Sequence, residues 1–375
     1  MRLRQTKSCP GKLTLNNAFT IDGFADRLLT WFDQHGRKNL PWQQDTTPYR
    51  VWVSEIMLQQ TQVKTVIPYF ERWMKSFPTL KKLARAEEST VLKHWEGLGY
   101  YSRARNLKKT AQIILNNYAG KVPDSMDEIL KLPGVGRYTA GAILSIAFGQ
   151  KVPVLDGNVK RVLSRIFLLK ENGSNSQSEN ILWEIMHSLL PETGSGDFNQ
   201  AFMELGATVC LPKNPLCLLC PLKQNCKAQK TGEQGLYPPR KLKTPSTKIE
   251  VSAAVILRRN KIYIQKRKVG GLMGGLWEFP GGKFEPGESA EQCLSREIKE
   301  EMGVALHIDE KFMTVKHSYT RFRVTLHVFL CRIRSGRVSP TECEKWDWVK
   351  REKLDTYPFP AANVKIIKRL INHQN

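Results

Sequence analysis

The feature that most limits how this chain can fold is a change of sequence pattern at residues 230–248. This segment combines glycines and prolines, including Pro238 and Pro239, with basic residues, a composition typical of an extended linker. Before it, apolar residues recur at helical spacing and strand-like alternation is scarce. We therefore predict a helical domain at residues 1–229, a basic linker at residues 230–248 and a second domain at residues 249–375.

The second domain has a mixed pattern. Residues 251–257, 262–264 and 324–330 are rich in apolar residues and predict strands, whereas residues 290–302 predict a helix. The fold class expected for the whole chain is therefore multidomain, with an all-α domain followed by an α/β domain.

The net charge of the chain indicates what kind of partner it binds. Lysines and arginines exceed aspartates and glutamates by 58 − 35, a formal net charge of +23. Such a surplus draws in polyanions, so nucleic acid is the first partner to test. Residues 1–20 lack the apolar core of a secretory signal, and the longest mainly apolar stretch, residues 140–148, is far shorter than a membrane span. We expect a monomeric cytoplasmic protein without membrane contact.

A helix-hairpin-helix pattern occurs at residues 132–136, Leu-Pro-Gly-Val-Gly. Gly134 and Gly136 let the backbone approach a phosphate and present N–H groups at a helix start, which allows DNA binding without sequence reading. The alternative is a plain turn between helices. Asp156 follows in the segment Leu-Asp-Gly-Asn-Val, where an isolated aspartate is more often a helix N-cap than a catalyst.

Four of the eight cysteines are bunched in the spacing C-x6-C-x2-C-x5-C. Four thiolates on one compact, loop-rich segment suit an iron–sulfur cluster or zinc, and the chemistry of the ligands alone leaves both open. The other cysteines are scattered, which is unlike a secreted disulfide framework and favours a reducing compartment. The candidate ligands are Cys210, Cys217, Cys220 and Cys226.

Together these features resemble the endonuclease III superfamily of DNA glycosylases, whose members carry a 4Fe-4S cluster on such cysteines. Within this superfamily, the MutY family of adenine glycosylases is similar in four segments, residues 40–42, 52–62, 97–101 and 155–159. The resemblance implies a 4Fe-4S cluster on the four cysteines. It also implies base-excision repair in a bacterial cell, with double-stranded DNA carrying adenine opposite 8-oxoguanine or guanine as the substrate.

Two carboxylates can divide the chemistry of adenine removal, which requires protonation of the base while positive charge grows on the sugar. Glu55 lies in an apolar stretch that tends to raise its pKa, so we assign it to protonate adenine at N7. Asp156 lies in a polar loop where it can stay ionised, stabilise the sugar cation, and help water or form a transient covalent adduct.

The resemblance assigns supporting roles to two further residues. Tyr138 and Asn158 would support the reacting sugar and Asp156, with ordinary packing and capping as the alternative. Bifunctional members have a lysine where this chain has Tyr138. Because a phenol forms no Schiff base, base excision with little or no strand cleavage is expected.

A base inside a duplex is out of reach, so such an enzyme flips it out and fills the gap with side chains. The resemblance places four residues at positions that contact the opposing lesion or enter the base stack. These are Gln60, Thr61, Leu98 and Tyr100.

The second domain carries a catalytic motif of its own. Residues 282–304 fit every fixed position of the Nudix box, G-x5-E-x7-R-E-U-x-E-E-x-G-U, whose arginine is Arg296. On the predicted helix, Glu297, Glu300 and Glu301 share one face. That face suits Mg²⁺ bound against a diphosphate and the activation of water.

Three segments around the box, residues 262–267, 276–282 and 357–363, resemble the MutT family, which hydrolyses 8-oxo-dGTP. By this resemblance Arg267 and Asn363 bind the nucleotide, and Asn363 reads the oxidised purine edge. The Phe-Ser-His tripeptide that adenine glycosylases use near the lesion is absent. Its nearest counterpart is Tyr319-Thr320-Arg321, a departure from the family.

Three hypotheses therefore compete for the function of the chain. In the first, an adenine glycosylase is joined to an active 8-oxo-dGTP pyrophosphohydrolase. In the second, the C-terminal domain only reads 8-oxoguanine in DNA and retains its box for structural reasons. In the third, a DNA-binding scaffold with a structural cluster is fused to a Nudix hydrolase. Glu55 and Asp156 argue against the third, since simple DNA binding needs neither.

Overall fold

The computed structural model describes residues 23–169, 176–239, 246–270, 273–319 and 322–372. Residues 1–20, assessed above for a signal, and residues 240–245 of the predicted linker lie outside these ranges. The Cα positions divide the chain into two compact units. The first unit comprises Met1–Glu55, Val122–Lys131 and Val135–Lys241, and the second comprises Ile56–Lys121, Leu132–Gly134 and Leu242–Asn375.

Up to residue 239 the described chain is helical and contains no strand, as predicted. A π-helical turn, Ile143–Ala147, follows α8, and two 3-10 turns, Cys217–Leu219 and Lys223–Asn225, lie between α11 and α12. The helices are α1 (Phe24–His35), α2 (Pro48–Leu58), α3 (Val63–Ser76), α4 (Leu80–Arg85), α5 (Glu88–Trp95), α6 (Ser102–Asn117), α7 (Met126–Ile129), α8 (Arg137–Ala142), α9 (Gly157–Phe167), α10 (Ser176–Leu189), α11 (Ser195–Thr208) and α12 (Lys227–Thr231).

Helices α1, α9, α10 and α11 build the core of the first unit. The ring of Phe24 lies 6.5 Å from that of Phe198 and 6.1 Å from that of Phe202, measured between centroids. On α9, Val159 and Val162 are buried in the same core, in keeping with the helical spacing of its apolar residues. Because α9 is anchored in this way, its N-cap residue Asp156 has a fixed position.

Helices α3 to α6 belong to the second unit. The indole of Trp73 makes edge contacts with Phe77 at 4.9 Å and with Trp95 at 5.5 Å between ring centroids. The turn between α5 and α6 needs left-handed backbone at Gly97 (φ 102°), Gly99 (φ 70°) and Tyr100 (φ 48°). Glycine adopts such angles at little cost, whereas Tyr100 does so only because the surrounding contacts hold it.

Six strands of the second unit form one sheet in the order β3-β2-β1-β5-β4, and β6 pairs with β2. Strands β1 and β5 are parallel, and the other pairs are antiparallel. The predicted strands lie within β1, β2 and β5, so the α/β prediction is confirmed. The strands are β1 (Thr247–Arg258), β2 (Lys261–Arg267), β3 (Trp277–Glu278), β4 (Ala305–Ser318), β5 (Phe322–Ser335) and β6 (Cys343–Lys350).

Two helices, α13 (Ala290–Met302) and α14 (Ala361–Asn372), contribute to two apolar cores of this sheet. Along β1, Ala253 and Val255 lie in the core that contains α14, whereas Ala254 and Ile256 lie in the core that contains α13. This alternation is the period of a strand buried on both faces.

The predicted helix at residues 290–302 is confirmed as α13. Its N-cap, Ser289, forms a capping box with Gln292. The Ser289 side chain accepts from the backbone N–H of Gln292, and the Gln292 side chain accepts from the backbone N–H of Ser289. Gly303 ends the helix in the left-handed conformation. Within the described part of the chain, no helix is both long enough and apolar enough to cross a bilayer.

Candidate active site

Glu55 lies on α2 and is almost completely buried, with 5% of its surface exposed. Burial raises the pKa of Glu55 to about 7, while a hydrogen bond from Tyr138 lowers it and the charge of Asp156 raises it. The buried neighbours Trp52 and Ile56 come from the apolar stretch seen in the sequence. A carboxyl with this pKa is partly protonated at neutral pH, as a general acid must be.

Tyr138 is the second residue of α8, directly after the hairpin. Its hydroxyl donates a hydrogen bond to Oε2 of Glu55. Burial and the charges of Glu55 and Asp156 hold the pKa of Tyr138 well above its ordinary value. The phenol therefore stays neutral and acts as a hydrogen-bond donor in this cluster.

Asp156 is the N-cap of α9. Its Oδ1 accepts from the backbone N–H of Val159 at 2.7 Å, and its Oδ2 accepts from Nδ2 of Asn158 at 3.0 Å. Burial raises the pKa of Asp156, while the bonds from Val159 and Asn158 and the charge of Arg161 lower it. The structure thus shows the N-cap and the polar neighbours expected from the sequence, together with a partial burial that the sequence did not predict.

Arg161 continues the hydrogen bonding from this N-cap. Its Nη2 donates to Oδ1 of Asn158 at 2.8 Å and to the carbonyl of Gly206 at 2.6 Å, and its Nε donates to the carbonyl of Cys210 at 2.8 Å. The amide that holds the Asp156 carboxylate is therefore itself held by Arg161. The sequence analysis missed this arginine.

The four cysteines of the predicted metal site line one small cavity, together with Arg165. Burial raises the pKa of Cys220 to about 12, and the other three cysteines add to this rise. Arg165 is 2% exposed and donates to Sγ of Cys210 at 3.2 Å and to the carbonyl of Leu211 at 2.7 Å.

This arrangement bears on the fit of a metal group. In the described ranges, Arg165 forms no ion pair with a carboxylate, and no three His, Cys, Asp or Glu side chains have the geometry of a preformed metal site. Whether a metal group fits here is therefore judged from the chemistry of the four cysteine ligands. A buried cation beside Cys210 suits ligands that carry negative charge, as thiolates around a cluster do.

In the Nudix box, Arg296 forms ion pairs with Glu288, Glu297 and Glu300. Its Nε and Nη2 donate to the two carboxylate oxygens of Glu288 at 2.6 and 3.0 Å. Its Nη1 donates to Glu297 and to Glu300, each at 3.1 Å. A Cβ at Gly282 would lie 2.0 Å from the carboxyl carbon of Glu297, so a larger residue there would displace this carboxylate.

Glu301 differs from the other box acids. Its Oε2 accepts from Nε2 of Gln265 at 3.3 Å. Burial raises the pKa of Glu301 to about 7, and the charges of Glu278 and Glu297 add to the rise. Three carboxylates thus lie close enough to repel one another, an arrangement that a divalent cation would relieve.

The two predicted nucleotide-binding residues lie on either side of β3. Nη1 of Arg267 pairs with Oε2 of Glu278 at 2.5 Å, and Oδ1 of Asn363 accepts from the backbone N–H of Phe279 at 3.4 Å. In the segment that replaces the Phe-Ser-His tripeptide, the ring of Tyr319 contacts that of His317, with 4.5 Å between centroids. Thr320 and Arg321 lie outside the described residues.

Comparisons with known proteins agree with this architecture. Residues 53–188 match the family described as HhH-GPD superfamily base excision DNA repair protein, and residues 252–369 match the NUDIX domain. An adenine DNA glycosylase of Buchnera aphidicola subsp. Schizaphis graminum is 39% identical over 310 residues, which cover 82% of this chain and 87% of that protein. This chain belongs to the adenine DNA glycosylase family.

Two further comparisons support the assignment. The human adenine DNA glycosylase is 35% identical over 405 residues, which cover 93% of this chain and 74% of the human protein. The structure of a thermostable thymine-DNA glycosylase is similar with a TM-score of 0.52 at 29% identity, covering 56% of this chain and 97% of that one. The resemblance to adenine DNA glycosylases and the predicted pairing of a helix-hairpin-helix fold with a Nudix fold are thereby confirmed, and DNA is the partner of this family.

In this adenine DNA glycosylase, the hairpin glycines differ in what constrains them. Gly134 has a φ of 79°, and a Cβ there would lie 2.8 Å from Asn106. Gly136 is the N-cap of α8, and a Cβ there would meet nothing within 4 Å. The open space at Gly136 is what the approach of a phosphate to a helix start requires.

The four predicted DNA-contacting residues lie in two turns of the second unit. Gln60 and Thr61 follow α2, where Gln60 is exposed and left-handed with a φ of 58°. In the turn between α5 and α6, Tyr100 is 45% exposed, whereas Leu98 is only 7% exposed. Tyr100 is therefore available to a ligand, and Leu98 is packed inside in this conformation.

Arg103, which the sequence analysis missed, connects these two turns. Its Nη1 donates to the carbonyls of Ile56 at 2.7 Å and Gln59 at 2.8 Å. Its Nη2 donates to the carbonyls of Leu98 at 3.1 Å and Gly99 at 3.2 Å. Burial lowers the pKa of Arg103 to about 10, so the guanidinium remains charged at neutral pH.

Proposed function

We propose that this member of the adenine DNA glycosylase family removes adenine mispaired with 8-oxoguanine or guanine, and that it does so without cleaving the strand. The observation that supports the proposal best is the buried Glu55, whose pKa is raised to about 7. At neutral pH this carboxyl can supply a proton to a poor leaving group.

In the proposed mechanism, Glu55 donates its proton to N7 of the flipped adenine while the bond between the base and C1′ of the sugar breaks. Positive charge grows on the sugar as this bond breaks, and Asp156 stabilises it as a carboxylate, through electrostatics or a transient covalent bond. Water then adds to C1′ and gives up a proton to a carboxylate of the site, so that the sugar keeps the hydroxyl. Asn158 and the N–H of Val159 orient the Asp156 carboxylate. The neutral hydroxyl of Tyr138 orients Glu55.

The mechanism gives Tyr138 no covalent role. The proposal of a monofunctional enzyme follows, since no amine stands at this position to form a Schiff base with the sugar. Borohydride trapping on a cleavable duplex tests this directly. A trapped covalent adduct with the wild-type protein would contradict it.

The test of the main proposal is base release from a duplex with adenine opposite 8-oxoguanine, with an A:T duplex as control. We expect fast release from the first and little from the second. The alternative function, a DNA-binding scaffold, requires equal inertness on both duplexes. The burial of Glu55 argues against the scaffold, because an acid kept in such surroundings costs stability and contributes nothing to simple DNA binding.

We further propose that a 4Fe-4S cluster is held by Cys210, Cys217, Cys220 and Cys226. The shared cavity and the buried Arg165 beside Cys210 support this fit. When bound, the cluster would supply a rigid cross-link of the loop rather than an open ligand position, since four cysteines saturate it. Iron content and the absorbance of the purified protein test the assignment, and zinc in place of iron would contradict it.

A second activity is proposed for the Nudix domain, the Mg²⁺-dependent hydrolysis of 8-oxo-dGTP to 8-oxo-dGMP and pyrophosphate. It is favoured by the charges of Glu278 and Glu297, which raise the pKa of Glu301, because Mg²⁺ held by the box acids Glu297, Glu300 and Glu301 would relieve this repulsion. Arg267 and Asn363 would contact the nucleotide. Here Mg²⁺ would supply charge neutralisation of the diphosphate.

The competing proposal for this domain is that it reads 8-oxoguanine in DNA and hydrolyses nothing. Pyrophosphate release with Mg²⁺, compared between the full chain and Glu300→Gln, separates the two proposals. No metal-dependent release would leave the reader alone. The other finer proposals are domain limits at residues 1–229 and 249–375, a monomeric state and a DNA-associated location in the bacterial cytoplasm.

A further inference from the structure

A second cavity, of about 580 Å³, lies within the second unit. One wall comes from α3, α5 and the two residues after α5, Glu96 and Gly97, and the other wall comes from α14. None of the box acids lines it, so it is separate from the Nudix site. Its lining residues include Tyr69, Arg72, Lys93, Glu96, Lys365 and Lys368.

The walls of this cavity are joined by hydrogen bonds. The Glu96 carboxylate accepts from the backbone N–H of Phe359 at 2.8 Å, and the hydroxyl of Tyr101 donates to the carbonyl of Phe359 at 3.0 Å. Nζ of Lys93 donates to Oε2 of Glu96 at 2.7 Å and to the carbonyl of Tyr357 at 3.1 Å. The segment that leads into α14 is thus fixed to the turn after α5.

The cations of the cavity are not balanced. Lys93 is neutralised by Glu96. The contacts seen for Arg72 are with the ring of Tyr69 and the carbonyl of His94. Nζ of Lys365 donates to the carbonyl of Lys316 at 3.4 Å. No carboxylate in the described residues pairs with Arg72, Lys365 or Lys368. Three exposed cations therefore face one concave surface, which favours an anion.

The position of the cavity indicates which anion it binds. Gly97 lines it and belongs to the same turn as the exposed Tyr100, which we expect to enter the base stack. A Cβ at Gly97 would lie 2.2 Å from the hydroxyl of Tyr69, so the turn packs directly on the cavity wall. A duplex held by Tyr100 would bring its backbone phosphates to this surface.

We propose that this cavity binds backbone phosphates of the duplex beside the lesion-contacting turn, with Arg72 on one wall and Lys368 and Lys365 on the other. The inference rests on the proposed function, since it takes the flipped-base duplex as the ligand. A phosphate held here contacts Arg72 on α3 and the lysines of α14, and so bridges the two walls.

The test measures equilibrium binding of the full, cluster-containing chain to a duplex with a non-cleavable adenine analogue opposite 8-oxoguanine, over a range of salt concentrations. Arg72→Ala and Lys368→Ala should each raise Kd about tenfold and lower the slope of log K against log salt by about 1. Lys311→Ala is the matched control, because Lys311 is exposed on β4 and does not line the cavity.

Neutral methylphosphonate linkages then locate the contact. Placed one at a time beside the 8-oxoguanine, they should weaken wild-type binding at one or two positions and have no further effect on Lys368→Ala. The proposal is overturned if Arg72→Ala and Lys368→Ala bind like Lys311→Ala. It is also overturned if they bind weakly yet keep the full methylphosphonate effect, since the loss would then be structural. Adenine release by the wild-type protein, assayed in parallel, separates failure of this site from failure of the proposed function.

Discussion

The hydroxyl of Tyr138 donates a hydrogen bond to Oε2 of Glu55, and this bond opposes the rise that burial gives to the pKa of that carboxyl. Burial favours the neutral acid, whereas a donor favours the carboxylate. The protonation state of the proposed general acid is therefore set by a competition between the apolar surroundings of Glu55 and one phenol. Three predictions follow from this pair.

Replacing Tyr138 by phenylalanine removes the donor and keeps the ring. Because the hydrogen bond lowers the pKa of Glu55, its loss should raise that pKa above its wild-type value of about 7. Since Glu55 acts in its protonated form, the alkaline limb of the pH–rate profile should move to higher pH. Single-turnover rates of adenine release between pH 5 and pH 9 measure this limb, and a shift to lower pH would refute the assigned role.

Replacing Glu55 by glutamine removes the transferable proton and preserves the shape of the side chain. Adenine release should fall by about 10²- to 10⁴-fold, the usual contribution of general acid–base catalysis. Affinity for the A:8-oxoguanine duplex should change little, because Glu55 lies among buried residues and glutamine keeps its shape. Comparable losses in release rate and affinity would instead indicate a structural role.

The same substitution should change stability in a pH-dependent way. The pKa of Glu55 rises from 4.5 to about 7 on folding, so ionisation favours the unfolded chain. This penalty is absent below pH 4.5, grows between pH 4.5 and pH 7, and is constant above. Glu55→Gln lacks it and should therefore be the more stable protein at pH 8, by on the order of 1–3 kcal/mol. Thermal unfolding at pH 5 and pH 8 measures the difference, which must grow with pH.

The fold was largely predictable because its patterns are local. The helical spacing before residue 230, the helix at residues 290–302 and the strand at β1 all lie within one element each, and the structure confirms them. The short strand β3 and the strands β4 and β6 were not predicted. Strand β3 consists of Trp277 and Glu278 alone, too short for any alternation to show.

Features of the candidate site were predictable only where they depend on residues that are neighbours in sequence. The burial of Glu55 follows from its own apolar helix, whereas the partial burial of Asp156 comes from packing around α9 that its polar loop does not reveal. Arg161 and Arg103 were missed for another reason. Several of their partners, such as Cys210 and Ile56, are distant in sequence and contribute a backbone carbonyl, which every residue type supplies, so no pattern marks such contacts.

Arg103 provides the last prediction, which concerns the two turns that we expect to contact DNA. Its planar guanidinium donates at once to carbonyls at the end of α2 and in the turn before α6, whereas the donors of a lysine all lie on one nitrogen and cannot cover both sets of carbonyls. Arg103→Lys should leave buried carbonyls unpaired and lower the free energy of unfolding by about 1–3 kcal/mol. It should also free the turn that carries Tyr100.

The expected functional result is a loss of discrimination, because a mobile Tyr100 no longer enters the stack at a fixed place. Kd for the A:8-oxoguanine duplex should rise while Kd for an A:T duplex changes little, since phosphate contacts dominate non-specific binding. Arg85→Lys is the matched control, as Arg85 is exposed on α4. If Arg103→Lys kept the ratio of the two Kd values that Arg85→Lys shows, Arg103 would stabilise the fold without positioning the turn.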